Sequence, residues 1–200
     1  YTCCAVYEEF ARIDAGFCTG VAADGLALKT VLMFGNDEQK QYFADYICGG
    51  KGNGFAAFAL TEPDAGSDAG AGKTVAEKVG DEYVINGRKC FITNAGPAQI
   101  YVVFAITDKS KGAKGYSAFI VERDRAGVSV GKEEDKMGIR LSNTADVVFD
   151  DVHVPADHLI GKEGKGYGYA MSTLDLARPI IGAMSCLLYT SPSPRDPKTS

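Results

Sequence analysis

The sequence predicts an α+β chain in three parts: a helical N-terminal segment over 1–52, an antiparallel β-barrel or sandwich domain over 53–160, and the start of a C-terminal helical bundle over 161–186. Three observations predict it. Apolar residues recur at helical intervals toward both ends, and short β-rich runs fill the middle. Gly, Pro, Asn and Asp punctuate each change of period.

In the first part Val6, Phe10, Ile13 and Phe17 recur at near-helical spacing, a stripe expected to pack in a core. A second helix is expected from about 21 to 34, closed by Gly35. Asn36 then offers an N-cap and forms a capping box with Gln39, ahead of the apolar stripe Phe43, Tyr46 and Ile47. The middle part holds the runs FAAFALT, TVAEKV, YVING, KCFITN, IYVVFAIT, YSAFIVE and ADVVFDDVHV. Gly80-Asp81 and Asn86-Gly87 are expected as turns of a β-meander, and KSKGAK (109–114) as a solvated hairpin loop. Beyond GKEGKG, the residues Tyr167, Met171, Leu174 and Arg178 fall on one helical face, and Pro179 is expected to kink or tighten that helix. The segment LLYTSPSPRDPKTS (187–200) departs from this pattern and reads as a translated sequencing adapter, so it is set aside as non-native. The chain starts at Tyr1 within a helical pattern and is expected to be a piece of a longer protein.

Composition excludes several function classes. Among 200 residues, 21 basic side chains stand against 26 acidic ones, and no basic stripe is interleaved with aromatics, which argues against a nucleic-acid partner. No apolar run is expected to span a membrane. The six cysteines form no C-x-x-C and no disulfide framework, which fits a reducing compartment: cytoplasm in a bacterium, mitochondrial matrix in a eukaryote. His153 and His158 flank the Val154-Pro155 turn and read as surface or turn residues.

The segment GSDAGAGKT (66–74) ends as a nucleotide-binding P-loop ends. That loop needs a glycine where this chain has Ser67, and it must open a helix, whereas TVAEKV reads as a strand. A nucleotide triphosphatase is therefore set aside. Glu62, Asp64 and Asp68 have no calcium-loop spacing and read as solvated or helix-capping carboxylates; no metal site is expected.

Four motifs in a fixed order carry more weight. FALTEPDAGSD (58–68), FITN (91–94), MGIRLS (137–142) and LDLAR (174–178) together resemble the acyl-CoA dehydrogenase family, with support from GNDEQKQYF (35–43), ING (85–87) and VFDDVHVP (148–155). The resemblance spans 1–186 and is nearest to bacterial short-chain, butyryl-type members. It implies bound FAD, oxidation of an acyl-CoA thioester to its trans-2-enoyl form, electron transfer to an electron-transferring flavoprotein, and a homo-oligomer, tetramer or dimer, at full length. It places the cofactor against Phe58, Ala59, Leu60, Thr61, Glu62, Gly66 and Ser67, and against Phe91, Ile92 and Thr93. Thr61 and Thr93 are short, stiff donors suited to the polar edge of a flavin. Gly66 is expected to let the backbone turn closely. Phe91 stands where the family often has Trp, of which this chain has none. Substrate contacts are implied at Ser67 and at Asp175, Leu176, Ala177 and Arg178, with an i, i+3 ion pair between Asp175 and Arg178. In some subgroups a catalytic Glu precedes that Arg; here the position is Ala177, so no catalytic residue is assigned and the base is expected outside this chain. The piece alone is expected to be inactive and to hold flavin weakly. The same scaffold also fits an enoyl-CoA reductase or an acyl-CoA oxidase, and a non-catalytic helix-plus-β interaction module is the alternative of another class.

Overall fold

The structure is a computed structural model that describes residues 1–190; the set-aside segment lies outside the described residues from 191 onward. Three helices come first: α1 (Thr2–Ile13), α2 (Ala15–Phe34) and α3 (Asp37–Ile47). The first apolar stripe was expected to run through one helix, but Asp14 breaks it. Asp14 is extended, and its carboxylate accepts the Phe17 N–H at 2.7 Å, so α2 begins earlier than its apolar pattern suggests. Nor is that stripe buried: Val6, Ile13 and Phe17 are exposed, while the partly buried Phe10 packs against Ala11, Cys18 and Met184.

The absence of a membrane-length run also needs correction. α2 has 20 residues of mean hydropathy 1.4, long and apolar enough to cross a membrane by length and composition alone. Its apolarity has another use here, since Ala27 and Val31 pack into the cluster between the helices and the sheet. Within α3 the capping box forms as expected, Gln39 N–H to Asn36 Oδ1 at 2.8 Å and Asn36 N–H to Gln39 Oε1 at 3.1 Å. Gln39 Nε2 also donates to the carbonyls of Asp157 and Leu159, at 2.6 and 2.8 Å, which fastens α3 to the end of the β region.

Seven strands form one curled sheet: β1 (Ala56–Ala59), β2 (Val75–Val79), β3 (Glu82–Thr93), β4 (Ile100–Ile106), β5 (Tyr116–Glu122), β6 (Val128–Val130) and β7 (Thr144–Pro155). The order is β1-β4-β2-β3-β7-β6, with β5 also on β4. Most pairs are antiparallel, but β1 runs parallel to β4, so the sheet is mixed. The run IYVVFAI lacks polar alternation because β4 is buried on both faces. Tyr101, Val103 and Ala105 enter one core cluster, while Ile100, Val102 and Phe104 enter the other beneath the helices.

Asn86-Gly87 is not a turn. It lies inside β3, where the register against β7 shifts between Ile85 and Gly87, so the two expected runs are one bulged strand. A Cβ on Gly87 would stand 2.5 Å from Thr74 Oγ1, and the residue has φ +150°, so close approach as well as conformation demands glycine. Gly80, at φ +62°, does turn β2 into β3. KSKGAK forms 3-10 turns between β4 and β5 with its lysines exposed. His158 is largely buried, against expectation: its Nδ1 lies 3.1 Å from the Ile120 carbonyl and 3.6 Å from Glu122, and its ring packs on Tyr42. His153 is exposed beside Glu82.

The last helix, α4 (Gly166–Thr190), continues through Pro179 and four residues past the expected boundary. No glycine or proline interrupts LLYT, and the next proline is Pro192. Inside, the hydroxyls of Thr30 and Thr173 meet at 3.1 Å and join α2 to α4. Gln39→Ala is expected to cost about 2 kcal/mol, the sum of a lost cap and two part-buried carbonyls left without that donor. Thermal melting of the variant beside Asn36→Ala, which loses the cap alone at about 1 kcal/mol, checks the difference.

Candidate functional site

A cleft of about 290 Å³ opens where α2 and α4 meet the ends of β1 and β3. Ala23 and Leu26 come from α2, Phe58 from β1, and Leu60 and Thr61 from the segment that follows it. The loop supplies Gly66, Ser67 and Ala69, and β3 supplies Phe91, Ile92 and Thr93. From α4 come Tyr167, Met171, Leu174 and Arg178, the four residues whose spacing put them on one helical face.

The strand β3 is built to present Phe91. Its pairing with β7 is interrupted between Lys89 and Ile92, and within that bulge Phe91 takes φ +55°. A non-glycine residue there carries roughly 1–3 kcal/mol of strain, which the surroundings must offset. As a result the ring is 65% exposed and faces the cleft instead of the core. The displaced backbone is answered across the cleft floor, where the Cys90 N–H donates to the Thr61 carbonyl at 2.9 Å. Thr61 and Thr93 both line the cleft, and neither hydroxyl has a hydrogen-bond partner among the described residues.

Glu62 departs from its expected role. It is buried and accepts from Lys89 Nζ at 2.7 Å, from the Thr74 N–H at 3.1 Å and from the Lys73 N–H. Lys89 is wholly buried and also donates to the Leu60 carbonyl at 3.0 Å. The amides that would cradle phosphate in a P-loop are thus spent on a carboxylate, and the chain goes on into β2. Burial alone would raise the Glu62 pKa, but the Lys89 cation and the backbone donors outweigh it and hold it below the usual range. Burial lowers that of Lys89, against the opposing pull of Glu62. Asp64 is exposed and paired with Lys73, and Asp68 is exposed beside the Ala69–Ala71 turn, as solvated carboxylates should be. Among the described residues no cluster suits a metal ion.

The other implied residues divide. Ala59 points into the inner core, away from the cleft. Asp175 and Leu176 are exposed and do not line the cleft, and Ala177 instead faces a small apolar groove between α2 and α4. Asp175 and Arg178 form the expected ion pair, which leaves the guanidinium at the cleft rim. Gly66 has no left-handed backbone angle. A Cβ there would meet nothing within 4 Å, so its contribution is open space on the cleft wall and not a tight turn.

Sequence reasoning missed Ala23 and Leu26, whose signal was the small-residue content of α2, and it missed Lys89. It also missed how α2 is held to the sheet. Asn94, at φ +62°, donates its amide to the Gly20 carbonyl at 2.8 Å and to Asp24 at 2.9 Å, while Asp24 accepts the Ala56 N–H at 2.8 Å. Burial pushes the Asp24 carboxyl up to about 6, and these two donors only partly oppose it.

Helices close over the edge of a curled mixed sheet, and in the cleft between them two hydroxyls without partners among the described residues stand beside an outward-turned aromatic ring. The sequence pattern described as acyl-CoA dehydrogenase, N-terminal domain, matches residues 1–51, and that of the middle domain matches 57–152. The chain belongs to the acyl-CoA dehydrogenase family. It is 49% identical over 181 residues to the short-chain-specific acyl-CoA dehydrogenase of Clostridium acetobutylicum, covering 89% of this chain and 47% of that protein. It is 49% identical over 162 residues to the acryloyl-CoA reductase (NADH) of Anaerotignum propionicum, covering 80% and 41%. The chain spans about half the length of the curated relatives it matches. Among solved structures, butyryl-CoA dehydrogenase of Megasphaera elsdenii superposes with TM-score 0.84 at 46% identity, covering 89% of this chain and 46% of that one. A structure described as the electron transferring flavoprotein of Acidaminococcus fermentans gives TM-score 0.84 at 45% identity, covering 89% and 47%. The Bacillus anthracis acyl-CoA dehydrogenase complexed with FAD gives 0.81 at 40%, covering 90% and 30%.

Two expectations follow for the site's electrostatics. Lys89→Met leaves Glu62 as a lone buried charge and is expected to cost about 3–5 kcal/mol at neutral pH. Denaturant titration should show this loss shrinking toward the ordinary carboxylate range, where Glu62 takes up a proton. Asp24, with its pKa raised, contributes stability below its ordinary value that is lost as pH rises through about 6. Since Asp24 is only part-buried, Asp24→Asn should flatten melting temperature between pH 5 and 7 by an amount worth roughly 1 kcal/mol.

Proposed function

We propose that this chain forms the flavin-facing half of an enzyme that oxidises a short-chain acyl-CoA thioester to the trans-2-enoyl thioester and passes the electrons to an electron-transferring flavoprotein. The observation that carries this reading is the convergence of Thr61, Ser67, Phe91, Thr93 and Arg178, from three separate stretches of chain, on one cleft. The residues present fit FAD: two unengaged hydroxyls supply donors for a polar ring edge, apolar Phe58, Leu60 and Ile92 lie beside them, and Gly66 leaves room. Bound FAD would supply the hydride acceptor.

The residues' own tasks follow from their chemistry. Thr61 and Thr93 orient the ring by hydrogen bonds, and Phe91 covers it. Ser67 and Arg178, at the cleft's outer side, suit the polar and anionic parts of a CoA ester; the Asp175 carboxylate holds the guanidinium in place. Removal of the α-proton needs a base, and no Asp or Glu lines the cleft among the described residues. Glu62 is committed to Lys89, and Ala177 has no proton acceptor. The base therefore comes from outside the described residues. A reducing compartment, such as the cytoplasm, and assembly into a homo-oligomer complete the proposal; the free thiols of Cys3, Cys4, Cys18, Cys48 and Cys90 support the former. A second reading, enoyl-CoA reduction on the same scaffold, is favoured by the 49% identity to the acryloyl-CoA reductase.

Made at the length of its relatives, the protein is expected to purify yellow and to lose its flavin band on anaerobic mixing with butyryl-CoA. Thr61→Val with Thr93→Val should weaken FAD binding about tenfold or more, as two lost hydrogen bonds imply. A protein that stays colourless in excess FAD overturns the reading. Rapid flavin oxidation by crotonyl-CoA after NADH reduction, without reduction by butyryl-CoA, selects the reductase.

A further inference from the structure

Lys89 has no part in the reading above, yet it is a fully buried cation on the strand that carries Phe91 and Thr93. Apolar side chains of similar volume would often hold such a place as stably as an ion pair does. What the charges supply is direction. Lys89 Nζ donates to the Leu60 carbonyl at 3.0 Å and to Glu62 Oε1 at 2.7 Å, and the next residue on the strand, Cys90, donates its N–H to the Thr61 carbonyl at 2.9 Å. Thr61 is thus gripped at the residue before it, at its own carbonyl and at the residue after it. Its hydroxyl has no partner among the described residues, so only this grip sets where it points.

The same pair reaches the other walls. Glu62 accepts the N–H groups of Lys73 and Thr74, which close the loop bearing Gly66 and Ser67. Lys89 is the last residue paired to β7 before the bulge that turns Phe91 outward. We propose that the buried Glu62–Lys89 pair is a positioning device for the flavin face, fixing Thr61, the 66–67 loop and Phe91 relative to one another, and that its charges serve this placement and not the stability of the fold. The inference rests on the cleft being a flavin site, but part of its test does not.

The test compares the full-length protein with its Glu62→Gln/Lys89→Met double variant, which removes both charges and leaves no lone buried ion. Hydrogen exchange without cofactor is expected to quicken at least tenfold for amides in 61–74 while those of β4 and β5 stay unchanged. FAD titration should show at least tenfold weaker binding and a shifted visible band. Arg88→Ala, which breaks an exposed pair with Asp146 on the same strand, should leave both readouts unchanged. If the unsubstituted protein binds no FAD, the cleft reading fails and exchange alone decides the positioning role. If it binds FAD and the double variant matches it in affinity, band and exchange, the positioning role is overturned and the cleft reading stands. Faster exchange spread equally through β4 and β5 also overturns it, because the pair would then be holding the whole fold. Should the double variant not fold, Glu62→Gln/Lys89→Leu, which likewise removes both charges, is read the same way, and unchanged exchange at 61–74 rejects the proposal.

Discussion

A lysine amine cut off from water must be answered by oxygen on every accessible side, and much of this chain's β-side geometry follows from how Lys89 is answered. Its partners are the Leu60 carbonyl and Glu62, both just past the end of β1. The chain leaving β1 is therefore drawn onto β3, although β1 pairs with β4 and not with β3. That places Thr61 beside the bulge carrying Phe91, and it anchors the return of the 63–72 loop through the Lys73 and Thr74 amides. A surface pair such as Arg12–Glu9 has no comparable leverage, because water competes for both partners.

The helical side is held by a different kind of tie. Asn94 sits two residues beyond Ile92, in a left-handed conformation, and its amide reaches back to Gly20 and Asp24 of α2, while Asp24 caps the first free amide of β1. The motif FITN thus spans the two halves of the cleft: its first three residues line it, and the fourth ties the helices to the sheet. Small residues on α2 allow this approach. Ala23 lines the cleft and Gly20 lies beneath Asn94, where longer side chains would hold α2 away from the sheet.

Periodicity carried most of the fold. The capping box at Asn36, the β-rich run that becomes β4 and the single helical face of Tyr167, Met171, Leu174 and Arg178 all follow from local spacing, which is what a linear pattern records. Errors arose where a residue acts at long range or breaks a pattern from within. Asn86-Gly87 has the composition of a turn, yet its glycine answers the approach of Thr74, thirteen residues earlier in sequence. Glu62 and Lys89 lie 27 residues apart, so neither looks buried in its own neighbourhood. His158 shares this fault: a polar residue beside a proline turn, it is covered by α3 arriving from more than a hundred residues away. The segments that line the cleft were legible as motifs, but which members face it was not, since Ala59 and Ala177 point elsewhere for reasons of strand and helix phase.

Charge is distributed in the cleft in a way that bears on the base that the proposed reaction would need. Its wall is made of Phe58, Leu60, Ile92, Met171 and Leu174, with fixed neutral donors and a single formal charge, Arg178, at the rim. The buried charges beneath it cancel one another, because Glu62 and Lys89 are in contact. A carboxylate brought against such a wall would lose water and gain little cationic compensation, so its pKa would rise toward neutrality. That is the range in which a general base works best. For the dehydrogenation proposed above, pairing Lys89 internally would do two things: hold the donors in place, and keep a full positive charge from depressing the pKa of the group that would take the α-proton.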